Sequence, residues 1–353
     1  MRKSTEAALI VILIGLVTAL LLVNPASAEG TFRMRSQGVT FSPIRLALFL
    51  GAALTTVALV TIHLEGSGEY AHIFYLLSVS TIAVWIMNSG VPNMNPFLAV
   101  VRDFYHKLGI HRSIPVETAF YLYLFLLLLL VTGIYYSTPR RSRELGFLIF
   151  GMLFSAPFFR NLIYPPKPEL IGITAFVLSL SVMTSLVFSP RALQSLLQTM
   201  LLALFTVVAI AMEPWNAVLP AAFVLTFPRR RRNLIYVTLV LFGVGFAVSR
   251  GLIRPGFRES MNWKDVAPQL LLPVTLIVYA ILFKTKTIVT ILRNSKGPTP
   301  FLILLLLVFL TGSLSTARLL PYAAITLTVL SVRLVFHSRD TGRVIPKREP
   351  AKT

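Results

Sequence analysis

The sequence predicts an all-α protein, a polytopic membrane helix bundle of about 11–12 spans. Two observations carry this. Hydrophobic residues make up 56% of the 353-residue chain and charged residues 13%, with a mean hydropathy of +0.77, whereas soluble domains run at about 25% charged. Apolar stretches also recur along the chain, separated by short clusters of Arg and Lys. A membrane-crossing helix needs about 20 apolar residues, and a helix satisfies its own backbone hydrogen bonds where no water can.

The stretches lie near 6–23, 43–63, 73–90, 117–137, 145–159, 169–188, 193–212, 217–227, 233–250, 266–283, 299–316 and 319–337. Two of them are short, 145–159 with Pro157 and 217–227 with Pro220. The first begins after Arg2 and Lys3, runs from Ala7 to Val23, and is followed by Asn24-Pro25-Ala26-Ser27-Ala28. Residues 1–28 therefore read either as a secretory signal cut after Ala28 or as an uncleaved first helix. Residues 29–337 form the transmembrane domain, and 338–353 a basic, polar tail.

Between spans, Pro96 to Arg112 has a different pattern. Phe97, Val100, Val101, Phe104 and Leu108 recur at helical spacing, and Arg102, Asp103, His106 and Lys107 are polar. This predicts an amphipathic helix near 96–112, lying in the membrane interface.

The net charge of +20 follows the same logic. Cytoplasmic loops of membrane proteins carry excess Lys and Arg, so the bilayer and not nucleic acid is the expected partner. With twelve crossings and both termini inside, Arg140, Arg141, Arg191, Arg229 to Arg232, Lys284, Lys286, Arg293, Lys296 and the tail fall on the cytoplasmic side. The bias is sharp from Arg140 onward. The expected location is the plasma membrane, multi-pass, with a cytoplasmic C-terminus. Before residue 117 the count is poorer, because Glu65–His72 becomes an acidic cytoplasmic loop; if 73–90 does not cross, 64–116 is one external loop instead. The chain has no cysteine, which excludes disulfides, thiolate metal sites and Cys nucleophiles. No Asp or Glu lies mid-span, which counts against ion-coupled transport. Glu117, Glu169 and Glu213 sit at span ends. Walker A, H-E-x-x-H and G-x-S-x-G motifs are absent.

Two groups of residues are candidates for chemistry. Arg254, Arg258 and Lys264 share one loop on the translocated side, Arg160 lies in another, and Arg318 sits between the last two helices. Forked guanidinium donors suit a lipid phosphate, although basic residues at an interface also snorkel to headgroups. The second group is Glu65, Glu69 and His72, just beyond a hydrophobic helix. A carboxylate there can act as general base, or hold a divalent cation against a phosphate leaving group. An ordinary polar turn with glycine punctuation gives the same pattern.

Glu69-Tyr70-Ala71-His72-Ile73, followed by Asn88-Ser89-Gly90-Val91-Pro92-Asn93-Met94-Asn95-Pro96, resembles the first external loop of GT-C glycosyltransferases. Ser315-Thr316-Ala317-Arg318-Leu319-Leu320-Pro321-Tyr322 is similar to the Arg-and-Pro entry into one of their late helices. The resemblance implies transfer of a sugar from a polyisoprenyl-phosphate donor at the external face, often with a divalent cation. It puts Glu69 or Glu65 at the catalytic acid position, with His72 beside it and Arg318 on the donor phosphate. The family usually has Asp at that position and a second acidic motif later; this chain has neither. A transporter or lipid flippase is the competing expectation, from the two short segments. A non-catalytic membrane subunit of an envelope-assembly complex is the third.

Overall fold

The computed structural model describes residues 43–64, 75–81, 92–110, 114–138, 143–186, 192–226, 230–253, 263–283, 298–315 and 319–336, with isolated stretches of the first 41 residues and residue 289. Among the described residues the fold is all-α apart from one antiparallel pair of two-residue strands, β1 (Phe32–Arg33) and β2 (Thr40–Phe41). The helices are α1 (Pro43–Leu64), α2 (Asn95–Lys107), α3 (Val116–Ser137), α4 (Arg143–Phe154), α5 (Pro157–Ile163), α6 (Glu169–Leu186), α7 (Ala192–Met212), α8 (Val218–Thr226), α9 (Arg230–Ser249), α10 (Trp263–Phe283), α11 (Pro298–Ser315) and α12 (Leu320–Phe336). Their order follows the apolar stretches of the sequence. Residues 75–81 are helical within the predicted 73–90 segment.

Prolines set the breaks. The 145–159 segment is two helices, because Pro157 lacks an amide hydrogen and starts α5 at its first turn. After α7, Glu213 is extended ahead of Pro214, and a 3-10 turn over Pro214–Ala217 leads into α8. The Asn216 side-chain amide donates to the Ala209 carbonyl at 3.0 Å, so the chain folds back on α7. α2 ends earlier than the pattern suggests, at Lys107. Gly109 takes φ +78 there, and the amide of Ile110 bonds back to the Tyr105 carbonyl. Its buried stripe is Phe97, Leu98, Val101 and Tyr105, while Phe104 is exposed.

One core joins α3, α6, α7, α9, α11 and α12. α3 and α6 approach closely at Gly133, where a Cβ would lie 2.9 Å from Val177 Cγ1. α1 packs beside α3 in a constant register. Arg45 pairs with Glu117 and Phe49 stacks on Tyr121, both at a separation of 72 residues, so the two helices run parallel. The same offset brings Leu64 level with Tyr136. α6 and α12 run the same way, since Tyr322 reaches Phe176 of α6 and Arg333 reaches the C-terminal Ser137 carbonyl of α3. The bundle thus has one end carrying the N-termini of α1, α3, α6 and α12, and an opposite end carrying their C-termini.

Val116–Ser137 is the one helix among the described residues that is long and apolar enough to cross a membrane, and most of it is buried. Shorter apolar runs occur in eight further stretches, among them Glu169–Thr184, Gln198–Met212 and Leu320–Val335.

Candidate functional site at the acidic end of the bundle

The first turns of α6 and α12 and the end of α7 meet around one tyrosine. Tyr322, in the first turn of α12, is fully buried. Phe176 of α6 packs edge-on against its ring at 4.8 Å, and Phe309 of α11 stacks at 5.6 Å. Its hydroxyl lies beside the Asn216 side chain and within electrostatic reach of both Glu213 and Glu169. Glu213 and Asn216 are buried, at 3% and 0% exposure.

Local sequence explains each position. Glu169 is in the first turn of α6, where the helix dipole favours a negative charge. Gly172 is one turn on, on the same face. A Cβ there would stand 3.0 Å from Met212 Cβ and 3.4 Å from Tyr322 Oη. The missing side chain lets the Met212 end of α7 close on α6. Glu213 is held at the α7–α8 turn, with its amide on the Ala209 carbonyl and its carbonyl on the Asn216 amide.

Two acceptor atoms in this cluster are buried without a hydrogen-bond partner among the described residues, Glu169 Oε2 and Asn216 Oδ1. Because Asn216 Nδ2 donates to Ala209, the amide orientation is fixed and Oδ1 faces the other way. Asn216 and Tyr322 are fully buried, Glu213 is nearly so, and Glu169 Oε2 is out of contact with solvent. Such a set can accept a proton from an attacking hydroxyl or surround a hard cation with oxygens. No cluster of three His, Asp or Glu residues suited to a metal ion occurs among the described residues, so a cation here would rely on the amide and phenol oxygens as well.

A second charged contact lies at the same end. Arg45 Nη1 donates to Glu117 Oε2 at 2.9 Å with both side chains buried, and the Tyr121 hydroxyl lies beside that carboxylate. α5 also docks here, since the Tyr123 hydroxyl donates to the Ile163 carbonyl at 2.8 Å. At the opposite end, buried Arg333 donates to the Ser137 carbonyl at 3.4 Å, a cation placed at a helix C-terminus.

The residues singled out from sequence divide as follows. Arg160 is exposed on α5, and Lys264 is exposed in the first turn of α10. Neither belongs to the buried cluster. Glu65, Glu69, His72, Arg254, Arg258 and Arg318 lie outside the described residues. The described residues that bracket 65–74 are at the opposite end: Leu64 by the α1–α3 register, and Tyr75 by its contacts with Thr132 at 3.0 Å and Tyr135 at 5.6 Å. Sequence reasoning passed over Glu169, Glu213, Asn216 and Tyr322. The available signal was that Glu117, Glu169 and Glu213 all close spans on one side of a twelve-crossing chain.

No protein-family model matches the chain, and no curated protein or solved structure is significantly similar to it.

Proposed function

We propose that this chain is a polytopic integral membrane enzyme that transfers a glycosyl group from a polyisoprenyl-phosphate donor, with its reactive groups at the acidic end of the bundle. The membrane part of the reading rests on the outer faces of the helices. Leu225, Leu241, Phe242, Leu271, Leu282, Phe283 and Leu314 are each at least 67% exposed, while Thr174, Ser179, Thr206, Thr326, Thr328 and Ser331 are buried. Monomeric soluble proteins rarely expose contiguous apolar surface on this scale; hydrocarbon suits it. The basic clusters at 139–143, 189–191 and 228–232 follow the C-termini of α3, α6 and α8 in sequence; in this reading that end is cytoplasmic and the acidic end external.

The observation that carries the enzyme reading is that Glu169 of α6 and Glu213 and Asn216 of the α7–α8 turn come near Tyr322 at the start of α12, where Arg318 is four residues before Tyr322 in sequence. Glu213 takes the role first expected of Glu69. It accepts the proton of the acceptor hydroxyl as that oxygen attacks the anomeric carbon. The bond from that carbon to the donor phosphate oxygen breaks, and its electron pair leaves with the phosphate. Arg318 is the cation that neutralises the departing charge.

The test is turnover by the chain in nanodiscs with polyprenyl-phosphate mannose or glucose. Release of polyprenyl phosphate that falls about a hundredfold or more in Glu213→Gln is the expected result. Equal release by wild type and variant overturns the reading.

A transporter or flippase is the second reading. The chain is interrupted at the α4–α5 break at Pro157 and at the α7–α8 turn at Pro214, the latter beside Glu213, and interrupted helices can mark a transported ligand's site. Uptake into liposomes that is abolished by Glu213→Gln, without release of polyprenyl phosphate, would favour it.

A further inference from the structure

We infer that the first apolar segment stays in the mature protein, seated on α1 at Gly51, and that no cut is made after Ala28. The inference does not depend on the acidic cluster or on its chemistry. By sequence, residues 1–28 fit a cleaved secretory signal and an uncleaved helix alike; packing separates the two. Residues 8, 9, 11–13, 15, 16 and 19 of this stretch are described, and all are helical. Leu9, Leu13, Leu16 and Ala19 are half-buried, whereas Ala8, Val11, Ile12 and Gly15 are exposed. The covered positions recur at three- and four-residue steps, which is one face of an α-helix. A signal needs only an apolar run and a small-residue cut site. A covered stripe needs a neighbouring helix.

That neighbour is α1. Leu13 and Leu16 pack against a cluster made of Ala52 on α1, Tyr75, and Phe125, Leu128, Val131 and Tyr135 on α3. A Cβ at Gly51 would stand 3.3 Å from Leu16 Cδ1 and 3.6 Å from Leu16 Cδ2, so Leu16 fills the space that the glycine leaves. Gly51, Ala52 and Ala53 are consecutive small residues. The hydroxyls of Thr55 and Thr56, one turn on, donate to the Gly51 and Ala52 carbonyls of their own helix at 2.7 and 2.8 Å. What α1 offers Leu16 is therefore apolar and close to the backbone. Lipid tails are as apolar as leucine, so helices in a bilayer associate through close fit at small residues. Leu50 and Leu54 of α1 are exposed, large side chains of the kind that lipid contacts. A cut after Ala28 would leave a leucine-sized gap over Gly51.

The test uses the full chain with a C-terminal tag, produced in bacterial cells whose signal peptidase is active. The intact mass of the purified protein should include residues 1–28; a mass that begins at Glu29 overturns the inference. This measurement needs no variant. The chain has no cysteine, so Leu16→Cys/Gly51→Cys can then be treated in membranes with a short bifunctional thiol reagent, and cross-linking within one chain read by mass. Val11→Cys/Gly51→Cys is the control, since Val11 is 68% exposed. The 16–51 pair should cross-link and the 11–51 pair should not. Equal cross-linking of the two pairs, or none in either, would show that the segment is not seated on α1 and overturns the inference even where residues 1–28 are present.

Discussion

Arg45 and Glu117 form a buried ion pair, with Arg45 Nη1 2.9 Å from Glu117 Oε2, and they lock the N-terminal turns of two parallel helices together. Removing one partner leaves an uncompensated buried charge. Arg45→Met or Glu117→Gln should each cost about 3–5 kcal/mol. The Arg45→Met/Glu117→Met double variant should cost less than either alone. Unfolding in detergent as SDS is titrated checks this; a double variant as unstable as the two singles combined would show that the pair does not interact as a unit.

Gly172→Ala puts a Cβ 3.0 Å from Met212 Cβ, so the end of α7 must give by a few tenths of an ångström, and 3.4 Å from Tyr322 Oη, which is ordinary contact. A loss of about 1 kcal/mol is expected. Gly151→Ala has open space around its Cβ and serves as the control; a similar loss there would remove the contact from the explanation.

If the bundle spans a membrane as proposed, the register of α1 on α3 predicts that positions 69 and 167 are reached from opposite faces. Leu64 and Tyr75 flank position 69 at the Arg333 end, whereas Lys167 precedes α6 at the acidic end, its amide on the Leu162 carbonyl. The chain has no cysteine, so single-cysteine variants at the two positions can be labelled from each side in intact cells and inverted vesicles. Labelling of both from the same side would break the two-ended arrangement and return Glu69 to the candidate site.

Burial raises the Tyr105 phenol above its ordinary value of 10.0. In the unfolded chain it ionises near that value, so the folded state holds more protons above about pH 10 and stability falls as pH rises there, with no effect below about pH 9. Tyr105→Phe should flatten that alkaline fall in a series of unfolding curves while leaving neutral-pH stability within about 1 kcal/mol. An unchanged alkaline slope would mean that Tyr105 is solvated in the folded protein.

The helices were legible because a run of apolar residues ended by Pro or by charge is a local signal. α3 appears within a residue of its expected start, and Pro157 and Pro220 marked the two short segments that became α4–α5 and α8. The expected amphipathic helix formed as well, but its buried face rotated toward Tyr105, which packs inward while Phe104 faces out. Burial follows the neighbours, and periodicity alone could not choose between two adjacent aromatic rings.

The acidic cluster was not legible for the same kind of reason. Glu169, Glu213 and Tyr322 each look ordinary at a helix end, and their meaning depends on which ends coincide. Sequence by itself determined the class of secondary structure, the order of the helices and the uneven placement of basic residues, since each is set by residues close together in the chain. Only the tertiary structure decided that residues 44 to 153 positions apart come near one buried tyrosine. Helix pairing is fixed by side-chain fit across the bundle, such as the gap at Gly172 and the 72-residue register of Arg45 on Glu117, and no single stretch of chain contains that information.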